Sequence, residues 1–286
     1  MRCALTPLSP GRRFAAILLA LACGLALRAA PPVWQDEFSQ PLNSGPAAAT
    51  WNYDLGAGGW GNAELETYTS TRENSFIADD PDATDGKVLV IRAVKGTGGG
   101  YTSARIKSNG RFSTQYGRVE ARMKLPRGQG LWPAFWMLGE NITTVGWPEC
   151  GEIDIMEVLG HQSGILYGTL HGAGNSGQYG KGSNFTLPGG ASFADGYHVF
   201  AVEWQPARID WWVDGTLYYS VKKADLAPGD RWAPDTGPFF IILNLAVGGS
   251  WPGSPDGTTA FPAELRIDYV RYYARLPRSP LWPVTP

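Results

Sequence analysis

Most of this chain alternates apolar and polar residues with a period of two. Val119, Ala121 and Met123 alternate with Arg118, Glu120, Arg122 and Lys124. Ile209, Trp211 and Val213 alternate with Arg208, Asp210 and Trp212, and Leu265, Ile267 and Tyr269 with Arg266 and Asp268. Successive side chains of a strand point to opposite faces, so each run predicts a strand with one face in a core. Asp214-Gly215, between Trp212-Val213 and Thr216-Leu217-Tyr218, marks a tight hairpin. Residues 87–94, 197–204 and 239–247 read as further strands, and 224–226 as at most one helical turn. Helical periodicity is otherwise nearly absent. With 37 Gly and 22 Pro to make turns, the chain is expected to be all-β, a sandwich or jelly roll of two antiparallel sheets.

Composition narrows the function classes. A formal net charge of -2 offers no basic field for nucleic acid. The 12 Trp suit either a core or a surface that stacks on sugars. At the start, Arg2, Arg12 and Arg13 precede an apolar stretch over 14–27, then small residues and Pro31-Pro32. That order describes a secretory signal over 1–30, with cleavage after Ala22 or near Ala29. The stretch is shorter than the ~20 residues of a spanning helix, so no stable membrane insertion is expected. A lipid anchor on Cys23 is a minor variant, since Ala20 stands where such signals carry Leu. The expected product is secreted, extracellular or periplasmic, and monomeric. Removing 1–30 leaves Cys150 alone among three cysteines, so no internal disulfide is expected. Residues 276–286 read as a Pro-rich tail.

The chemistry concentrates in Gly151-Glu152-Ile153-Asp154-Ile155-Met156-Glu157-Val158. In a regular strand Glu152 and Asp154 share a face, but Glu157 falls on the core side, where an unpaired charge is costly. One extra residue at Ile155-Met156, a β-bulge, returns Glu157 to the acidic face, and bulges often re-aim side chains beside active sites. Three carboxylates on one face must couple their ionisations, and at least one is expected to hold its proton more tightly. An ionised carboxylate beside a protonated one is what glycoside hydrolysis needs. The same run could also be a solvated acidic face or a calcium site. Its setting favours a polysaccharide cleft, because Leu131-Trp132-Pro133-Ala134-Phe135-Trp136-Met137-Leu138 and Trp147-Pro148 precede it.

The segment 151–157 resembles the bulged E-x-D-x-x-E signature of glycoside hydrolase family 16. The resemblance continues in Trp60-Gly61-Asn62-Ala63-Glu64-Leu65-Glu66, Tyr101-Thr102-Ser103-Ala104-Arg105-Ile106 and Tyr116-Gly117-Arg118-Val119-Glu120. It resumes in Tyr167-Gly168-Thr169-Leu170-His171 and Asn244-Leu245-Ala246-Val247-Gly248-Gly249-Ser250-Trp251. It spans residues 34–273 and implies a catalytic domain over 31–275. The implied fold is a concanavalin-like jelly roll with a concave substrate cleft. By the resemblance, Glu152 is the nucleophile, Glu157 the acid/base, and Asp154 the residue that orients Glu152. The extra Met156 is similar to the laminarinase branch, a retaining endo-β-1,3-glucanase acting on a laminarin-like β-glucan. Mixed β-1,3/1,4-glucan, another β-linked polymer, transglycosylation and non-catalytic glucan binding are the alternatives.

The resemblance further implies substrate contacts from Asn62, Arg105, Trp132, Trp136, Trp147, His171 and Trp251. Arg105 could instead sit in a structural ion pair, and the tryptophans in the core. No cofactor is needed for the chemistry. A structural calcium is implied on the far face, held by Glu37, Asp268 and a backbone oxygen of Gly86.

Overall fold

The computed structural model describes residues 31–274. The signal expected over 1–30 and the tail over 276–286 lie outside the described residues.

Two sheets form the molecule. The larger has ten strands, in the order Thr216–Lys222, Arg208–Val213, His198–Gln205, Gly117–Lys124, Ala263–Tyr273, Lys87–Lys95, Tyr101–Ser103 and Glu66–Tyr68. Trp34–Asp36 and Ser75–Asp79 pair off this path. The second has seven strands, in the order Lys181–Thr186, Ile165–His171, Glu152–Glu157, Leu131–Gly139, Phe239–Val247, Arg105–Lys107 and Asn52–Asp54. All pairings but one are antiparallel; Glu66–Tyr68 and Tyr101–Ser103 run parallel. Sequence-distant strands lie side by side, as in a jelly roll. Among the described residues the α-helical content is a single turn, Ile142–Val145.

Alternation explains the core. Val119, Ala121 and Met123 from the larger sheet face Phe135, Met137, Ile153, Leu243 and Leu245 from the smaller, all buried in one cluster. Burying such side chains contributes about 1.5–3 kcal/mol each, so a charge at Ile153 would break the sandwich. The predicted hairpin forms at Asp214-Gly215, both with positive φ, 46° and 74°, as a two-residue turn between right-twisted strands requires.

One expected phase is corrected. Leu265 and Ile267 join the cluster between the sheets, but Tyr269, although buried, does not. The register slips between Ile267 and Tyr269 against Gly117–Lys124, so Val270 takes the core position. Tyr269 packs on the other face of the sheet, buried under the Arg271 guanidinium 3.6 Å from its ring centre. A tyrosine is tolerated on either face, so this bulge left no polar residue in a forbidden place to announce it.

Candidate active site

The strand Glu152–Glu157 sits third from one edge of the seven-stranded sheet. Gly151 leads into it with φ 79°, and a Cβ there would meet Ala233 at 2.6 Å and Phe239 at 2.9 Å. Glycine is therefore required at the entry. Against Leu131–Gly139 the register runs Asp154↔Trp136, then Met156↔Phe135. Against Ile165–His171 it runs Asp154↔Thr169, then Glu157↔Tyr167. This is the expected bulge. Ile155 and Met156 are both 0% exposed and belong to the core cluster, which leaves Glu157 with Glu152 and Asp154 on the outer face.

Each acid meets a specific neighbour. The Trp147 indole N–H donates to Glu152 Oε2 at 3.1 Å, and that of Trp132 to Glu157 Oε1 at 3.1 Å. His171, directly across from Glu152, places Nε2 3.1 Å from Asp154 Oδ2 and 3.8 Å from Glu152 Oε1. Burial, then the charge of Asp154, pushes Glu152 up to about 8, while His171, Arg105 and the Trp147 bond pull it down. Burial raises Asp154 to about 8. Glu157 is held well above the carboxylate range by burial, then by Asp154 and Glu152. Three crowded, largely buried carboxyls resist ionising together, so the cluster holds its protons more tightly than free carboxyls do.

The acids lie in a cleft of about 1090 Å³. Asn62, Arg105, Trp132, Trp136, Trp147, His171 and Trp251 all line it, so the structure gathers every expected substrate contact around the acids. Trp147 and Trp251 are 47% and 43% exposed, which suits stacking on a ligand rather than core packing. Trp251 stands edge-on to Trp132 and to Tyr167, at 5.5 and 5.0 Å. Arg105 lines the cleft and is also held in a structural ion pair. It pairs with Asp54, Nε to Oδ2 3.0 Å, and stacks over Trp60 and Trp136 at 5.0 and 4.7 Å.

Comparison with known proteins places this arrangement. The family model for glycosyl hydrolases family 16 matches residues 65–271. The chain belongs to this family. It is 42% identical to a β-glucanase of Rhodothermus marinus over 252 residues, 84% of each chain. Among solved structures it resembles the laminarinase catalytic domain of Thermotoga maritima, at 46% identity and TM-score 0.77, covering 86% of this chain and 98% of that one. It also resembles an endo-β-1,3-glucanase of Pyrococcus furiosus, at 48% identity and TM-score 0.76, covering 85% and 94%.

For this family 16 chain, residue-by-residue reasoning missed part of the cleft wall. Trp60, Glu64, Tyr167, Thr169, Asn184 and Asn244 also line it. Asn244 accepts from the Trp136 indole at 2.8 Å and donates to the Tyr68 hydroxyl at 3.1 Å. Tyr68 and Asn62 both donate to Glu64, at 3.1 Å each. Glu66 accepts from the Val247 N–H at 2.6 Å, and burial followed by the Glu64 carboxyl pushes Glu66 up to about 8. The period-two spacing of Glu64, Glu66 and Tyr68 was the available signal.

The expected calcium ligands lie on the ten-stranded side, each engaged by protein groups. Glu37 takes the Arg271 guanidinium with both oxygens, at 2.8 and 2.7 Å. Asp268 accepts from the Thr84 N–H and hydroxyl, at 3.0 and 2.6 Å, and from Arg122 at 2.6 Å. The Gly86 carbonyl accepts from the Asp80 N–H at 2.9 Å. A cation beside either carboxylate would have to displace a guanidinium, so the donor set as it stands does not fit calcium.

Proposed function

We propose that this chain is a retaining endo-β-1,3-glucanase that cleaves internal bonds of laminarin-like β-glucan. The observation that carries the reading is the bulged acidic strand, which sets Glu152, Asp154 and Glu157 together on the floor of an aromatic-walled cleft. The relatives named as β-glucanase, laminarinase and endo-β-1,3-glucanase support the polymer and the linkage.

In the first step Glu152 attacks the anomeric carbon as Glu157 gives its proton to the departing oxygen. Glu157 suits the acid role because burial, and after it the nearby Asp154 and Glu152 carboxyls, oppose its ionisation. Glu152 suits the nucleophile role because, against the burial and the Asp154 charge that raise it, His171, Arg105 and the Trp147 N–H favour its charged form. In the second step Glu157, now a carboxylate, takes a proton from water, and the hydroxide cleaves the glycosyl–Glu152 ester. Asp154, between them, repels a second charge on Glu152 or Glu157 and so helps pass the proton within the set. Trp132, Trp136, Trp147 and Trp251 offer flat faces to sugar C–H surfaces.

The test is digestion of laminarin, mixed-linkage glucan and a galactan, with product analysis by chromatography and by NMR of the newly formed ends. Internal cleavage of laminarin with β-configured new ends is expected. Preference for galactan, or α-configured ends, would overturn the reading.

We further propose that residues 1–30 direct export and that the mature chain acts outside the cytoplasm as a monomer. The support is the basic, apolar, small-residue order of that segment. Mass measurement of the protein recovered from the medium or periplasm checks the cleavage point and any lipid on Cys23. Among the described residues no helix is long and apolar enough to cross a membrane.

A further inference from the structure

A polar contact beneath the acids crosses from sheet to sheet. Trp211, in Arg208–Val213 of the ten-stranded sheet, is fully buried. Its indole N–H donates to the backbone carbonyl of Asp154 at 2.8 Å. Asp154 is the last residue in register with both neighbouring strands before the bulge begins. The indole therefore holds the point where the strand changes phase and Glu157 is returned to the cleft.

A second observation bears on the same contact. Gly168, inside the strand Ile165–His171, leaves the space the indole occupies. A Cβ on Gly168 would meet the Tyr218 hydroxyl first and would stand 2.5 Å from Trp211 Cδ1 and 2.9 Å from its Nε1. Glycine inside a strand weakens it and often marks a close approach.

We infer that Trp211 is a positioning residue for the reaction proposed above. Its N–H anchors the Asp154 carbonyl, which sets the phase of the bulge and hence the aim of Glu157 relative to Glu152. It touches no substrate and acts only through the strand. The inference rests on the hydrolytic reading of the site.

Three variants test it, compared by kcat, KM and the pH profile on laminarin, per folded molecule. Trp211→Phe keeps a ring in the core and removes the N–H. Trp204→Phe is the matched control, because Trp204 is equally buried and its indole N–H has no hydrogen-bond partner. Gly168→Ala keeps Trp211 but crowds its indole; because the Tyr218 hydroxyl is crowded as well, it is made and compared in a Tyr218→Phe background. Misaiming of a reacting group costs up to about 100-fold, so Trp211→Phe is expected to lower kcat by about 10- to 100-fold with KM within about twofold. The alkaline limb of its profile should also move, since Glu157 changes surroundings. Trp204→Phe should stay within about threefold of wild type, because it loses packing but no aim.

Equal kcat values for Trp211→Phe and Trp204→Phe would overturn the inference. If Trp211→Phe does not fold, Gly168→Ala decides: a fall in kcat supports the anchor, and an unchanged kcat overturns it. A wild type inactive on every β-glucan sinks the proposed function and this inference together. An active wild type beside an unimpaired Trp211→Phe sinks this inference alone.

Discussion

His171 Nε2 stands 3.1 Å from Oδ2 of Asp154 and, across the strand pair, 3.8 Å from Oε1 of Glu152. The imidazole lowers the proton affinity of both Glu152 and Glu157. Its position opposes the two forces that raise them, burial and mutual repulsion. Removing it should raise both carboxyls further.

His171→Ala should therefore move the acid limb of the pH–rate profile to higher pH, because that limb reports ionisation of Glu152. The alkaline limb, which reports loss of the Glu157 proton, should move the same way. Below the optimum, kcat/KM should fall by about three- to tenfold. Profiles of kcat/KM for the two proteins check this, and an unmoved acid limb would contradict the role given to His171.

Glu152→Gln should abolish hydrolysis of every substrate while glucan binding persists, since the variant cannot form the ester. Glu157→Gln should lose about 100- to 10,000-fold on laminarin, where the leaving oxygen needs a proton. It should keep most of its first-step rate on an aryl glycoside with an acidic phenol, which leaves unaided. Rescue of Glu157→Gln by azide would confirm the assignment, and rescue of Glu152→Gln with retained configuration would reverse it.

Stability should depend on pH through the same cluster. Glu152 and Asp154 titrate near 8 in the folded chain and at about 4 when unfolded. The folded state therefore holds protons that the unfolded state releases. This contribution is fully present below about pH 4 and is lost as the pH rises toward 8. Glu152→Gln removes one of the repelling charges. It should melt close to wild type at pH 4 and about 2–4 °C above it at pH 8, the scale of about 1 kcal/mol in a domain of this size. Calorimetry at the two pH values measures the gap, and a gap that shrinks with rising pH would contradict the coupling.

A chelator should leave the melting temperature unchanged within about 1 °C, because an ion that does not bind the native state cannot stabilise it. Glu37 and Asp268 hold Arg271 and Arg122 instead. A calcium-dependent rise would show that the ion displaces one of these guanidinium groups. Arg271→Ala and Arg122→Ala would then identify which, by strengthening the response.

Much of the site was legible before any fold was known, and the two bulges show where that ended. The bulge at Ile155-Met156 could be read because the alternative buries Glu157, which is energetically forbidden. The bulge at Asp268 could not, because Tyr269 is acceptable in the core or under Arg271. A phase slip is visible in sequence only when the unslipped strand puts a charge where none can stay. The same reasoning explains the calcium ligands. Glu37 and Asp268 are acids in the expected places, but their partners are 234 and 146 residues away.

The sequence by itself determined the strands, the two-sheet class and the acidic triad, since a period of two and a single forbidden burial are local properties. Tertiary structure alone decided which groups meet those acids. Trp132 reaches Glu157 from the neighbouring strand, His171 faces Asp154 from the other side, and Trp211 reaches the Asp154 carbonyl from the opposite sheet. These contacts depend on register and on how the sheets stack, and both emerge only when every strand buries its apolar face at once.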